Sequence, residues 1–122
     1  MDMMKKIFTS YFLLFLVLPT YFIHAQLIVL DNYNNGQIKY KGEMLDGEKN
    51  GEWTYYYPNG QINVTENYEN GELEGKYRSF YQNGQKKSIE NWSDGLLIDS
   101  ARYYFDSGSI KRKGMYKDGL YS

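Results

Sequence analysis

Apolar and polar residues alternate through most of the chain after residue 26, a pattern typical of β-strands with one side turned to a core. The clearest stretch places Trp53, Tyr55 and Tyr57 on one side and Thr54 and Tyr56 on the other. Turns rich in Asn, Asp and Gly interrupt the alternation about every twelve residues. No stretch after residue 26 combines helical apolar spacing with a capping residue. The pattern therefore predicts an all-β protein.

The turns recur at a constant interval along the chain, as from Gly60 to Gly84. One series of glycines follows a Tyr or Phe by three residues, and a second series directly follows Asp or Asn. Four units fill residues 27–122 without an insertion, as 27–50, 51–74, 75–98 and 99–122. Such repetition predicts an antiparallel meander of about eight strands, with one hairpin in each 24-residue repeat. The eight turn glycines are Gly36, Gly47, Gly60, Gly71, Gly84, Gly95, Gly108 and Gly119.

The repeat also predicts how the side chains sort. Tyr57-Pro58-Asn59-Gly60 fits a type I turn with Pro58 at its second position, followed by Gly60 in the left-handed region as a bulge. Strict alternation then predicts one aromatic face and one mostly polar face. We expect rings at equivalent positions to stack in columns along the array and to supply most of the stability. One such column would contain Met44, Tyr68, Trp92 and Tyr116.

These residues carry a resemblance to the MORN-repeat variant family. The best matches are residues 51–60, which read GEWTYYYPNG, and residues 75–84, which read GKYRSFYQNG. The resemblance covers residues 27–122 and implies an extended antiparallel sheet of stacked hairpins that acts as a scaffold or binding module. It also carries an association of bacterial members with antitoxin-like roles. Residues 27–32 and Asp99, which replaces the leading glycine, depart from the pattern, so we expect the outer units to cap the array.

Residues 1–25 have the three parts of a secretory signal peptide. Lys5 and Lys6 precede an uncharged run over residues 7–18, and Ala25 provides a small residue before Gln26. The run is shorter than the roughly 20 residues of a membrane span. Extending it through Ile23 keeps an uncleaved anchor as the alternative, and this is the only membrane contact we expect. The protein is therefore predicted to be exported to the periplasm, to the outer envelope or to the medium.

The composition argues against catalysis. The chain has no Cys, and its single His, His24, lies in the predicted leader, so the usual thiol nucleophile and imidazole base are missing. Asp46, Asp94 and Asp118 lie in tight turns, where Asp commonly has a structural role. We therefore predict no enzyme activity, no cofactor and no metal site.

The charge argues against nucleic acid as a partner, because 14 Lys and Arg stand against 15 Asp and Glu. Basic residues do fall in neighbouring positions of the second strand of each hairpin, and we expect them to keep the surface soluble rather than to bind nucleic acid. This predicted basic stripe contains Lys39, Lys41, Lys86, Lys87, Lys111, Arg112 and Lys113.

The preferred hypothesis is a non-enzymatic, exported repeat module that presents a surface to another protein or to an envelope component. Candidate contact residues are the exposed aromatics of the middle units, Trp53, Tyr55, Tyr77 and Trp92, because Trp and Tyr dominate interface energetics. Lys87 and Lys111 of the basic stripe would set orientation. Two alternatives stay open: an antitoxin-like inhibitor of a partner toxin, and a carbohydrate-binding module that uses the aromatic columns.

Overall fold

The structure, a computed structural model, describes residues 24–122, which form one antiparallel sheet of ten strands. The predicted leader, apart from His24 and Ala25, lies outside the described residues. Across residues 24–122 there is no helix with the length and apolarity needed to cross a bilayer. The strands are β1 Gln26–Asn32, β2 Ile38–Leu45, β3 Glu48–Tyr56, β4 Ile62–Glu69, β5 Glu72–Leu73, β6 Gly75–Phe80, β7 Lys86–Ser93, β8 Leu96–Tyr104, β9 Ile110–Lys117 and β10 Leu120–Tyr121.

The strands pair in chain order, so the prediction of an all-β antiparallel meander is confirmed. The short strand β5 pairs with the end of β4, and β6 continues the same pairing after a break at Glu74. Strands β5 and β6 therefore correspond to one predicted strand. The two-residue strand β10 pairs with β9, and together with the division of β5 from β6 it accounts for the difference between about eight predicted strands and ten observed ones.

Two kinds of turn connect the strands, one kind along each of the two margins where the strands end. At one margin the amide of Gly60 donates to the Tyr57 carbonyl at 2.9 Å, as in a type I turn, and Gly60 has a φ of 86°. At the other margin Asp46 and Gly47 both have positive φ, 50° and 83°, as in the type I′ turn of two-residue hairpins. All eight turn glycines predicted from the sequence have positive φ.

Each hairpin contains a β-bulge shortly after the first kind of turn. In β7, for example, Ser88 pairs with Ser79 and Lys86 pairs with Phe80, so Lys87 has no partner residue across the strand pair. The prediction of strict alternation is wrong at these places, because an extra residue shifts the sides on which the following side chains lie. The bulged residues are Lys39, Asn63, Lys87 and Lys111.

A second irregularity precedes the aromatic stretch of each repeat. Gly51 and Gly75 have φ values of 65° and 87°, and Asp99 takes the equivalent position with a φ of 55°. Asp is one of the few residues other than Gly that enter the left-handed region at moderate cost. The substitution at Asp99 therefore leaves the backbone of the repeat unchanged.

The turn tyrosines connect each repeat to the next one. Each hydroxyl donates a 2.8 Å hydrogen bond to a backbone carbonyl 23 residues further along the chain, beside the following turn. At the equivalent position of the fourth unit stands Phe105, which has no hydroxyl to donate. The donor and acceptor residues of this tyrosine ladder are Tyr33 and Tyr56, Tyr57 and Phe80, and Tyr81 and Tyr104.

A single sheet layer encloses little core. Among the described residues only Trp53 and Ala101 are buried apolar side chains, with 4% and 0% of their surface exposed. Polar side chains are buried as well: Ser79 and Ser88 share a 2.7 Å hydrogen bond, and Thr65 is buried beside Thr54 on the opposite face. Stability therefore comes mainly from the ladders between strands and from half-covered aromatic rings.

The predicted ring columns are wrong. Equivalent positions of consecutive repeats lie two strands apart, about 9.5 Å, which exceeds the roughly 4.5–7 Å separation of interacting rings. Ring pairs instead form between neighbouring positions. Within the described sheet they join Tyr40, Trp53 and Tyr55, at centroid distances of 6.1–6.4 Å, and Tyr116 with Tyr121 at 5.6 Å.

Candidate functional site

One face of the sheet carries most of the strand Tyr and Trp residues, and we call it the aromatic face. The pairing of Trp53 with Glu66 and of Tyr77 with Glu90 defines a row of side chains across its centre. Because side chains alternate along a strand, the opposite face holds the row Lys41, Arg78, Arg102 and Lys113, which we call the basic face. The aromatic face comprises Tyr40, Trp53, Tyr55, Tyr68, Tyr77, Trp92, Tyr103 and Tyr116.

Trp53 anchors the first part of this face. Its indole lies directly over Gly42 of the neighbouring strand, and a Cβ at Gly42 would overlap the ring. The indole Nε1 donates a 2.9 Å hydrogen bond to the carbonyl of Glu43, and Tyr40 stacks against the ring at 6.1 Å. Trp53 is therefore fixed from both sides, with its one polar atom satisfied.

Lys49 places a charge among these rings. Its Nζ lies 4.6 Å from the ring centroid of Trp53 and 4.7 Å from that of Tyr68, and it donates a 2.5 Å hydrogen bond to the Tyr55 hydroxyl. Partial burial lowers the pKa of Lys49, but the interactions with the hydroxyls of Tyr55 and Tyr68 together have a larger effect. The pKa of Lys49 is therefore raised. The aromatic face thus accommodates an ammonium group by cation–π contacts.

Two glutamates lie in the central row, one repeat apart. Tyr68 donates its hydroxyl proton to Glu66 Oε2 at 2.8 Å, and Trp92 Nε1 donates to Glu90 Oε2 at 3.1 Å. In both cases the donor is the aromatic residue two positions further along the same strand. The repeat therefore builds the same pair of carboxylate and aromatic donor twice, with Tyr77 on the strand between them.

The tyrosines around these carboxylates hold their protons strongly. Burial, together with the hydrogen bond to Glu66, raises the pKa of Tyr68 to about 12. Burial and the charges of Glu90 and Glu66 raise the pKa of Tyr77, and burial with Glu90 raises that of Tyr103. The centre of the aromatic face is therefore negatively charged, and its phenols stay neutral at ordinary pH.

A guanidinium group lies at the far end of the face. Arg112 of β9 lies 4.4 Å from the ring centroid of its cross-strand partner Tyr103. The predicted basic stripe is wrong in this respect, because Arg112 belongs to the aromatic face while Lys41 and Lys113 lie on the basic face. Lys39 instead approaches Asp31 at 3.8 Å.

The structure divides the four aromatic candidates into residues that are packed in the sheet and residues that a partner can reach. The expectation that Trp53 is exposed is wrong, because Gly42 and the ring neighbours leave only 4% of its surface open to solvent. Tyr55 belongs to the same cluster and bonds Lys49. Tyr77 and Trp92 are partly exposed in the central row and beside it, so they are the candidates that a partner can reach.

The two lysine candidates lie apart from the central row. Lys87 and Lys111 are exposed at bulges, and each Nζ lies 5.7 Å from a ring centroid, that of Tyr81 and that of Phe105 respectively. They lie next to turns of the first kind, near the ends of the strands.

Sequence reasoning overlooked Glu66 and Glu90 as part of the site. The signal was present, because each lies two residues before an aromatic residue of the predicted face and the two occupy equivalent positions of consecutive repeats. It also overlooked Gly42, whose role depends on a neighbour across the strand pair. Within residues 24–122 no three metal-ligating side chains converge.

The fold and this face define a class of protein: a tandem β-hairpin repeat protein in which a single-layer sheet displays one aromatic surface. The sequence profile of the MORN repeat variant matches residues 49–70, 73–94 and 100–118, about half of the chain, and the protein belongs to this family. Repeats of this family are generally non-enzymatic interaction modules. No curated protein matches the sequence significantly.

Proposed function

We propose that the protein is an exported, non-enzymatic module that binds another protein or an envelope component through its aromatic face. The observation that carries the proposal is the partial exposure of Tyr77 and Trp92 at the centre of a sheet with no second layer over it in the described residues. Rings of this kind supply large contact area at small entropic cost. Membership of an interaction-module family supports the same function.

The export part of the proposal rests on the leader pattern of residues 1–25. The first strand begins at Gln26, the residue after the predicted cleavage site, so cleavage there keeps every described strand and removes, within residues 24–122, only the hydrogen bonds of His24 and Ala25 to Asp46. We expect the mature chain to begin at Gln26 in a fractionated envelope or in the medium, as read by N-terminal sequencing. A cytoplasmic chain that begins at residue 1 would overturn this part and leave the binding surface in place.

The binding part is tested by capture with matched variants. A C-terminally tagged chain is cross-linked in its native cells, and its partner is compared for the wild type, Trp92→Ala and Arg102→Ala. We expect the cross-linked partner to be lost with Trp92→Ala and retained with Arg102→Ala, whose side chain is exposed on the basic face. Retention with Trp92→Ala in a chain that keeps its circular dichroism spectrum would contradict the proposal.

The identity of the partner decides between the alternatives. A co-purifying toxic enzyme would point to the antitoxin-like role, which rests on family association alone. Carbohydrate binding is tested on a glycan array with Trp92→Ala as the inactive variant. Trp53→Ala is unsuitable for that purpose, because Trp53 is buried and its loss disturbs the fold.

A further inference from the structure

Cations of the protein itself occupy the two ends of the aromatic face. At one end the ammonium of Lys49 lies among the rings of Trp53, Tyr55 and Tyr68. At the other end the guanidinium of Arg112 lies over Tyr103. These contacts show which chemistry the face accommodates, because the ring faces are electron-rich and attract positive groups.

The middle of the aromatic face also carries aromatic rings, and it has more negative charge than the two ends. The residues equivalent to Lys49 in the following repeats are Leu73 and Leu97, so no lysine is supplied there. In the part of the chain that the structure describes, neither Glu66 nor Glu90 lies within ion-pair distance of a Lys or Arg nitrogen. Both carboxylates are partly buried and accept hydrogen bonds from uncharged aromatic donors. Lys49 reaches Glu66 only through the Tyr68 hydroxyl, from which its Nζ lies 3.5 Å. The centre therefore presents two negative charges that no cation of residues 24–122 contacts directly.

The spacing of the two carboxylates fits a single cation between them. They lie on β4 and β7, and Tyr77 lies on β6, the strand between these two. Each strand step is about 4.8 Å, so a group seated over the Tyr77 ring is within reach of a carboxylate on either side. A guanidinium suits this place better than an ammonium, because it is planar, stacks on rings and donates in two directions.

We propose that Glu66, Tyr77, Glu90 and Trp92 bind a cationic side chain of a partner protein, an arginine in preference to a lysine. The proposal rests on the function proposed above and specifies its chemistry. The arginine stacks on the Tyr77 ring between the two carboxylates, and Trp92 bounds one side of this site. Charge complementarity identifies the occupant, because an apolar or acidic side chain would leave both carboxylates without a cation in direct contact.

The test uses the repeat protein and the capped peptide acetyl-Gly-Arg-Gly-amide in a nuclear magnetic resonance titration. The chain has two tryptophans, so the indole N–H of Trp92 reports on the site and that of buried Trp53 serves as an internal reference. We expect the arginine peptide to shift the Trp92 signal and to leave that of Trp53 in place. The citrulline peptide, which has the same shape without the charge, should give no shift, and the lysine peptide should bind more weakly.

Matched variants test the carboxylates. The double variant Glu66→Gln and Glu90→Gln should weaken binding at least about tenfold, or 1.4 kcal/mol. The control is Glu48→Gln and Glu72→Gln, which removes the same charge from two exposed glutamates that are also one repeat apart, and it should bind like the wild type. Equal shifts with arginine and citrulline, or equal losses in both double variants, would overturn the proposal.

Two further outcomes separate this inference from its premise. If the cross-linked partner is lost with Trp92→Ala but kept with the Glu66 and Glu90 double variant, the binding function stands and the arginine site does not. The basic face also holds two arginines one repeat apart, Arg78 and Arg102. A dimer in sedimentation that Arg78→Gln and Arg102→Gln dissociate would assign the site to a second copy of the chain and overturn the proposal of a different partner.

Discussion

Trp53 and Tyr77 occupy the same position in consecutive repeats, and they differ in almost everything except backbone. Around Trp53 the neighbouring strand offers Gly42, which lets the indole lie flat and be buried. Around Tyr77 the equivalent residue is Glu66, which has a side chain where Gly42 has none and brings a charge beside the ring. The Trp53 cluster is a small core, and the Tyr77 cluster is an open, charged surface.

The difference shows how one repeat sequence can serve two purposes. The turns and bulges recur once in each repeat, so the backbone presents the same frame at both positions. Glycine at position 42 leaves room for the Trp53 ring, and glutamate at the equivalent position 66 places a carboxylate beside Tyr77. Stability and recognition can therefore lie side by side on one face without a change of fold.

The comparison predicts its largest effect for truncation of the two rings. Trp53→Ala should destabilise by about 3–5 kcal/mol, because it removes the largest buried side chain of the sheet. Tyr77→Ala should cost only about 1–2 kcal/mol, because the ring is partly exposed. Urea unfolding followed by circular dichroism measures both losses. Equal losses would mean that the two clusters contribute equally to stability.

Gly42→Ala should cost about 2 kcal/mol, because the new methyl group displaces the Trp53 indole. The clash disappears when the ring is absent. Added to Trp53→Ala, the same change should therefore cost less than about 0.5 kcal/mol in urea unfolding. Costs that simply add would show that Gly42 acts through the backbone rather than through Trp53.

The shared frame is tested away from both clusters. Gly84→Val should cost about 2 kcal/mol, because a β-branched residue resists the φ of 85° at this turn. The nearby exposed change Lys87→Ala should stay within about 0.5 kcal/mol of the wild type. Thermal melts of the two variants measure the contrast. Equal melting temperatures for Gly84→Val and Lys87→Ala would show that this turn does not determine the structure of the repeat.

The last test is a titration of Tyr68, which measures the charge difference between the two clusters. The phenol of Tyr68 should lose its proton with a pKa of about 12 in the folded chain, against an ordinary value of 10.0. The unfolded chain releases this proton first, so the stabilisation is complete below pH 10 and declines as the pH rises toward 12. Tyrosinate absorbance, compared with Tyr68→Phe, measures it. Glu66→Gln should lower the pKa, and an unchanged value would contradict the role of Glu66.

The meander could be predicted because its turns depend on residue types that are visible in the sequence. Asp-Gly and Asn-Gly pairs specify positive φ at two successive positions, and each of the four repeats carries this information again. The fold class therefore follows from local chemistry alone.

The bulges inside β2, β4, β7 and β9 and the burial of individual rings could not be predicted in the same way. Residue type does not mark Lys39, Asn63, Lys87 and Lys111 as bulges, because the extra residue follows from the register of hydrogen bonds between strands. The burial of Trp53 depends on Gly42, which lies on the neighbouring strand. Residue type alone does not distinguish Glu66 and Glu90 from other glutamates, because the rings beside them are brought there by the folded sheet.

The tyrosine ladder has a consequence for how the array comes apart. Each hydroxyl ties a repeat only to its immediate successor, so opening propagates from neighbour to neighbour and begins at the outer strands, which have one neighbour fewer. Amide hydrogen exchange should accordingly be slowest in β4, β6 and β7 and quicken toward both ends. A chain coupled in this manner tolerates gain or loss of whole repeats over evolutionary time, since no member relies on a distant one.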